Sequence, residues 1–267
     1  MRLSTLIAAT ALAVGSIGFA SATPVNLIQN GSFAQTNNGT SVPTQFGDGS
    51  RNGFTAQQFI THWTGNDGYE IWYPSTSAAQ NVNAIGEWTS TGKEKLYGPI
   101  TAPQGTQTFV GLDGDQSNGV QSSIGQNLTS LVVGASYTVT FDWAAAQLQS
   151  RTGDTKTWLQ IFFGNQSYTM DPPIQNPSGS FTGWETTSLY FTANSKSAFL
   201  NFLAFGTPSG YPPVALLTNV SVIGPQAVPE PPEMAMFGIG LLGLGLLTVV
   251  ARRRALRRDG ADDGDLA

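Results

Sequence analysis

Along residues 136–143 the chain alternates without a break: Tyr137, Val139, Phe141 and Trp143 are large and apolar, while Thr138, Thr140 and Asp142 are polar. A period of two sends the first set to one face of a strand and the second set to the other, as in a half-buried antiparallel strand. The stretches 106–112, 120–128, 157–163, 184–192, 197–205 and 215–223 share the enrichment in Val, Ile, Phe and Thr. Turn-forming clusters separate them, among them Asp113-Gly114-Asp115, Gly164-Asn165 and Pro172-Pro173. No part of the body sustains a 3.6-residue apolar period, so crossover helices and a parallel sheet are not expected. The pattern predicts an all-β fold over residues 23–224, an antiparallel two-sheet β-sandwich of jelly-roll type. Residues 36–56 read as a long polar loop, 113–119 as a plain hairpin turn, and 225–233 as a Pro-rich stalk.

Two apolar runs break this alternation. Leu6 to Ala20 follows Arg2 and ends at the small residues Ala20-Ser21-Ala22, which predicts a signal peptide over residues 1–22. The second run, 234–251, would span roughly 27 Å as a helix at ~1.5 Å per residue, which matches the bilayer core. It has no polar face, and Gly238, Gly240, Gly243 and Gly245 are spaced as membrane helices tolerate. The arginines that follow, Arg252 to Arg254 with Arg257 and Arg258, favour a cytoplasmic tail over residues 252–267 and place the body on the far side of the membrane.

The order Val228-Pro229-Glu230-Pro231, apolar helix, then Arg252, Arg253 and Arg254 resembles the PEP-CTERM sorting signals of bacteria. The resemblance implies an exosortase-like membrane protease as partner, cleavage near the motif, and only a transient membrane stage through residues 234–251. The acidic extension Asp259 to Ala267 departs from the family pattern, which usually stops soon after the arginines.

Composition narrows the chemistry. The chain has no cysteine, which excludes disulfides, thiol catalysis and cysteine-held zinc. Residues 23–227 hold six basic and eleven acidic side chains, a net charge of −5 that disfavours nucleic acid as a partner. Only 11% of the whole chain is charged, and the remaining polar residues are hydroxyls and amides, which suits contact with neutral polysaccharide.

Within the body, Asn30-Gly31-Ser32-Phe33, His62-Trp63-Thr64, the run Pro103 to Gly114, Ser122 to Leu128 and Tyr137 to Asp142 occur in the order found in galactose-binding-like carbohydrate-binding modules. Leu217 to Val222 resembles their closing strand. The resemblance implies a sandwich with a glycan ligand. It also implies calcium ligands just after Phe33 and in the closing strand, but Ala34 and Thr218 stand there, so no metal is expected. The ligand platform is expected where aromatic rings and carboxylates are densest, at Asp67, Tyr69, Glu70, Trp72, Tyr73, Glu87 and Trp88, on loops at one end of the sandwich. Trp63, Trp143 and Trp184 are expected in the core.

His62 is the single histidine and no Gly-x-Ser-x-Gly elbow exists, so a Ser-His-Asp site is not expected. No cofactor is implied. The sequence therefore reads as an exported, membrane-anchored then cell-surface protein that binds extracellular polysaccharide without catalysis. Two other classes stay open: a structural or adhesive biofilm-matrix protein without sugar binding, and a glycosidase using carboxylates such as Glu70, Glu87 and Glu185.

Overall fold

The computed structural model describes residues 24–37, 43–46, 59–66, 68–80, 95–115, 121–149, 151–210 and 213–227. The expected signal peptide, sorting motif, apolar helix and arginine tail lie outside the described residues. The chain divides into two compact units, Met1–Gln226 and Ala227–Ala267, and the sandwich belongs to the first. Among the described residues no helix is long and apolar enough to cross a membrane.

Four short strands come first: β1 (Pro24–Asn26), β2 (Thr44–Phe46), β3 (Thr64–Gly65) and β4 (Glu70–Tyr73), followed by the single-turn helix α1 (Thr76–Ala79). Nine more complete the body: β5 (Phe109–Asp113), β6 (Ser123–Leu128), β7 (Ser136–Gln147), β8 (Thr155–Phe163), β9 (Gln166–Thr169), β10 (Ile174–Asn176), β11 (Glu185–Thr192), β12 (Ala198–Thr207) and β13 (Pro213–Pro225). They form two antiparallel sheets. The first runs β11-β7-β13-β5-β4-β2, with β1 on β13; the second runs β10-β8-β12-β6-β3, with β9 on β8. Each of the seven stretches of apolar enrichment is a strand within a few residues of its expected bounds.

The alternation in β7 works as its chemistry requires. Tyr137, Val139, Phe141 and Trp143 face the space between the sheets, where Leu159, Ile161 and Phe163 of β8 and Leu200, Phe202 and Ala204 of β12 meet them. Trp63 and Trp143 are both in this core. The Tyr137 hydroxyl accepts from Val132 N (2.8 Å) and donates to Pro225 O (2.6 Å), tying the end of β13 to the start of β7.

Two expectations fail. Asp113 to Gly119 is no hairpin turn, because β5 belongs to the first sheet and β6 to the second; the connection crosses the sandwich. Asp115 is buried there and accepts from Ser209 Oγ and Gly210 N, both at 2.6 Å. The stretch 36–56 is also not loop throughout, since it contains β2 with Gln45 and Phe46 buried.

The sandwich also has a second apolar cluster. From Ala144 onward β7 is buried on both faces, because the outer side of the first sheet is covered at that end. Ile71, Tyr73, Phe109, Ala144, Val214 and Leu216 face outward there, against Ala79 of α1 and Leu96 and Ile100 of the following loop. Trp184 packs against this cluster half-buried, with its Nε1 donating to Thr101 O (3.0 Å), rather than in the main core.

Candidate functional site

Of the platform expected on loops around residues 67–88, Glu70, Trp72 and Tyr73 are buried in a strand. Asp67, Glu87 and Trp88 lie outside the described residues. The others form β4 or its approach, and the second cluster seals the outer side of that strand. Trp72 faces the main core at 4% exposure, its Nε1 donating to Phe33 O (2.8 Å) and its ring edge-on to Phe59. Tyr73 is fully buried on the opposite face and stacks on Phe109 at 5.0 Å. Tyr69 is half-buried against the second cluster. Neither Trp72 nor Tyr73 can offer a ring face to a ligand.

Glu70 is likewise fully buried, with Oε1 accepting from Ser123 N at 3.3 Å and Oε2 without a hydrogen-bond partner. Burial pushes its pKa up to about 8, against the opposing pull of the backbone amides of Ser123 and Asn66. Asp113 is pushed up to about 7, also by burial. Both carboxyls are buried, Glu70 fully and Asp113 at 8% exposure.

The positions of the expected calcium ligands are occupied by neutral groups. Thr218 Oγ1 donates to Thr108 O (2.9 Å), and Thr108 Oγ1 donates to Ser32 O (2.6 Å). Hydroxyls thus satisfy carbonyls of the kind that a hard cation would otherwise gather, and the carboxylate of Asp142, paired with Thr218, accepts from Thr186 Oγ1 (2.6 Å) and Asn219 Nδ2 (2.7 Å) instead. Among the described residues no three of His, Asp and Glu cluster as metal ligands.

The outer face of the second sheet has the features that the loops lack. Leu159, Ile161 and Phe163 point inward, so Trp158, Gln160 and Phe162 point outward; on β12 the same alternation exposes Phe199, Asn201, Leu203 and Phe205. Among the described residues no apolar cluster covers this face. Trp158 and Phe205 are directly paired across the strands and lie nearly parallel, with centroids 5.6 Å apart and planes 10° apart. Gln160 pairs with Leu203, Phe162 with Asn201, and Phe199 with Asn127 of β6. Phe199 is 41% exposed, and its ring lies over Gly125, where any Cβ would collide with it. The result is a row of outward rings interleaved with carboxamides, in which Trp158 and Phe205 stack on each other.

At the β3 and β6 edge this face runs into a groove of about 620 Å³ lined by side chains that include Asn26, Gln29, Asn37, His62, Gln126 and Asn127. His62 is held at φ 71°, in the left-handed region, by a turn in which Trp63 N donates to Ile60 O (3.0 Å). Among the described residues no Asp, Glu, Lys or Arg lines the groove. Amides and hydroxyls around an uncharged trough can exchange hydrogen bonds with a hydroxyl-rich ligand, while the neighbouring rings stack on its apolar faces. The sequence reading missed this face because Trp158 to Phe163 is a nearly continuous apolar run that does not say which side is covered.

No family model matches the chain, and no curated protein matches it. Among solved structures it is similar to the enzymatically active domain of tailspike protein 4 of bacteriophage CBA120, at 15% identity and TM-score 0.35, covering 74% of this chain but only 21% of that one. It is also similar to the Stig cyclase Fisc from Fischerella sp. TAU, at 15% identity and TM-score 0.41, covering 77% of this chain and 100% of that one. A third is the CBM22-1 xylan-binding domain of Xyn10C from Paenibacillus barcinonensis, at 11% identity and TM-score 0.34, covering 78% and 100%.

Proposed function

We propose that the chain is an exported, non-catalytic glycan-binding module that works in an extracellular polysaccharide layer. The observation that supports this reading is the outer face of the second sheet, which no apolar cluster covers among the described residues, with Trp158, Phe162, Phe199 and Phe205 interleaved with Gln160, Asn201 and Asn127, beside a groove lined by amides. Flat rings bind the apolar faces of pyranoses, and carboxamides bind their hydroxyls from either side because each offers donors and an acceptor. The absence of charge in the groove favours a neutral glycan over an anionic one. The body is a jelly-roll sandwich at residues 23–224, delivered by a signal peptide at 1–22 and retained by a PEP-CTERM-type signal. An exosortase-like protease reads Val228 to Pro231, with the helix 234–251 and Arg252 to Arg254 behind it. The membrane stage is transient, and the mature protein stays at the cell surface or is released.

The test is W158A/F205A assayed against neutral polysaccharides by affinity electrophoresis, with a thermal melt as control. Each stacking contact is worth about 0.5–1.5 kcal/mol, so the pair should weaken binding roughly 5- to 150-fold. The melt should fall by less than the loss of two core rings would cause, since both rings are only partly buried. Undiminished affinity in the folded double variant overturns the assignment.

A further inference from the structure

A second groove opens at the far side of the sandwich, where the two sheets end. There β11 closes the first sheet on β7, and β9 lies on the outer side of β8. Between these two edges is a space of about 530 Å³ lined by residues that include Gln166, Ser167, Tyr168, Ser188, Leu189 and Tyr190. Tyr190 is 76% exposed and Tyr168 47%. Among the described residues these are the two tyrosine and tryptophan rings left most open.

The position of each ring follows from register. Tyr168 pairs with Ile161, an inward residue, so it leans toward the gap between the sheets. Tyr190 pairs with Thr138 on the outer side of the first sheet. Phe191, which also lines the groove, points inward and stacks on Phe163 at 5.3 Å and 11°. Gln166 Nε2 donates to Thr192 O (2.6 Å) and so bridges the two edges. That bond already occupies a carbonyl at the end of β11, which disfavours the addition of another strand along that edge. Among the described residues the lining offers hydroxyls, an amide and ring faces, and no charge.

We propose that this groove is a second neutral-glycan site, and that one chain of this protein therefore cross-links polysaccharide. The glycan class rests on the reading given above for the sheet face. Trp158 and Phe162 point away from the core whereas Tyr168 points toward it, so the two sites open on opposite sides of the same sheet. A stiff pyranose chain stacked on one would have to fold round an edge strand, within about 4.8 Å, to reach the other. Two sites thus take two glycan chains.

The experiment uses the full chain in mild detergent and a panel of neutral hexasaccharides (gluco-, xylo-, galacto- and arabino-), titrated by calorimetry, with the long polymer of the best binder tested for turbidity. Two sites per chain are expected, falling to one in Y168A/Y190A and also to one in W158A/F205A, and either loss should abolish polymer cross-linking. Y190F, which keeps the ring, should retain both sites, and Y190A alone serves if the double variant melts early. A single site untouched by Y168A/Y190A overturns the groove and leaves the sheet face standing. A single site lost in Y168A/Y190A but not in W158A/F205A overturns the sheet face and leaves the groove. No binding by any hexasaccharide overturns both. A dimer of the free protein that Y168A/Y190A dissociates overturns the groove as a glycan site and makes it a docking edge for a second copy.

Discussion

Glu70 makes the stability of this protein depend on pH in an unusual direction. Its carboxyl is fully buried, with a folded pKa of about 8 against an ordinary 4.5. The folded state therefore keeps a proton that the unfolded chain releases above about pH 4.5. Where the unfolded state binds fewer protons, stability falls as pH rises, so Glu70's contribution is fully present below pH 4.5 and is lost as the pH climbs to about 8. Each pKa unit corresponds to about 1.4 kcal/mol, which places the loss on the order of 3–5 kcal/mol. Asp113, raised from 3.8 to about 7, adds a loss of the same sign between those two values. The substitution E70Q keeps the acceptor for Ser123 N and cannot ionise. It should match the parent near pH 4.5 and exceed it at pH 8–9 by a few kcal/mol. Urea unfolding followed by tryptophan fluorescence at pH 4.5 to 9 reads this directly. A parent protein whose stability stays flat or rises from pH 5 to 8, or an E70Q curve parallel to the parent's, would show that Glu70 is not held protonated.

Three further outcomes are expected. Trp72→Ala should cost ~3–5 kcal/mol of stability, read by chemical denaturation, because its ring is in the core; a folded variant with lost glycan affinity would instead restore the loop platform. Calcium and chelator should give the same melting temperature, because Thr108 and Thr218 hydroxyls take the carbonyls at the expected ligand positions and a bound ion would otherwise add stability by mass action. Glu230→Ala should leave uncleaved precursor in the membrane, and intact mass of the released protein checks it: recovery of Arg252 to Arg254 in a surface-released product would refute processing at the motif.

Strands were legible wherever one face was wet. Tyr137 to Trp143 alternates because Thr138 and Thr140 meet solvent while their neighbours meet the core. The strand β4 was not legible for the opposite reason. Glu70 and Trp72 face one core while Ile71 and Tyr73 face another, so the sequence shows a dense aromatic and acidic patch with no period. That density resembled a binding loop. Sheet membership was also hidden, since the turn chemistry of Asp113 to Asp115 is the same whether the next strand pairs locally or crosses the sandwich. The ring field of the second sheet needed the register of β8 against β12, which brings Trp158 opposite Phe205 from 47 positions away.

The placement of β13 has a mechanical consequence. This strand leads to the C-terminal unit, yet it lies inside the first sheet, paired with β7 along one side and with β5 and β1 along the other. Tension on the C-terminal segment would enter at Pro225 and run along the strand axis. It would load the flanking hydrogen bonds in shear, together, instead of peeling them one at a time. Tyr137, clamped to the Pro225 carbonyl, stands at the point where that load arrives. Such a pull acts on a strand paired with three others and not on a free edge, so the sheet resists unravelling from its C-terminal end.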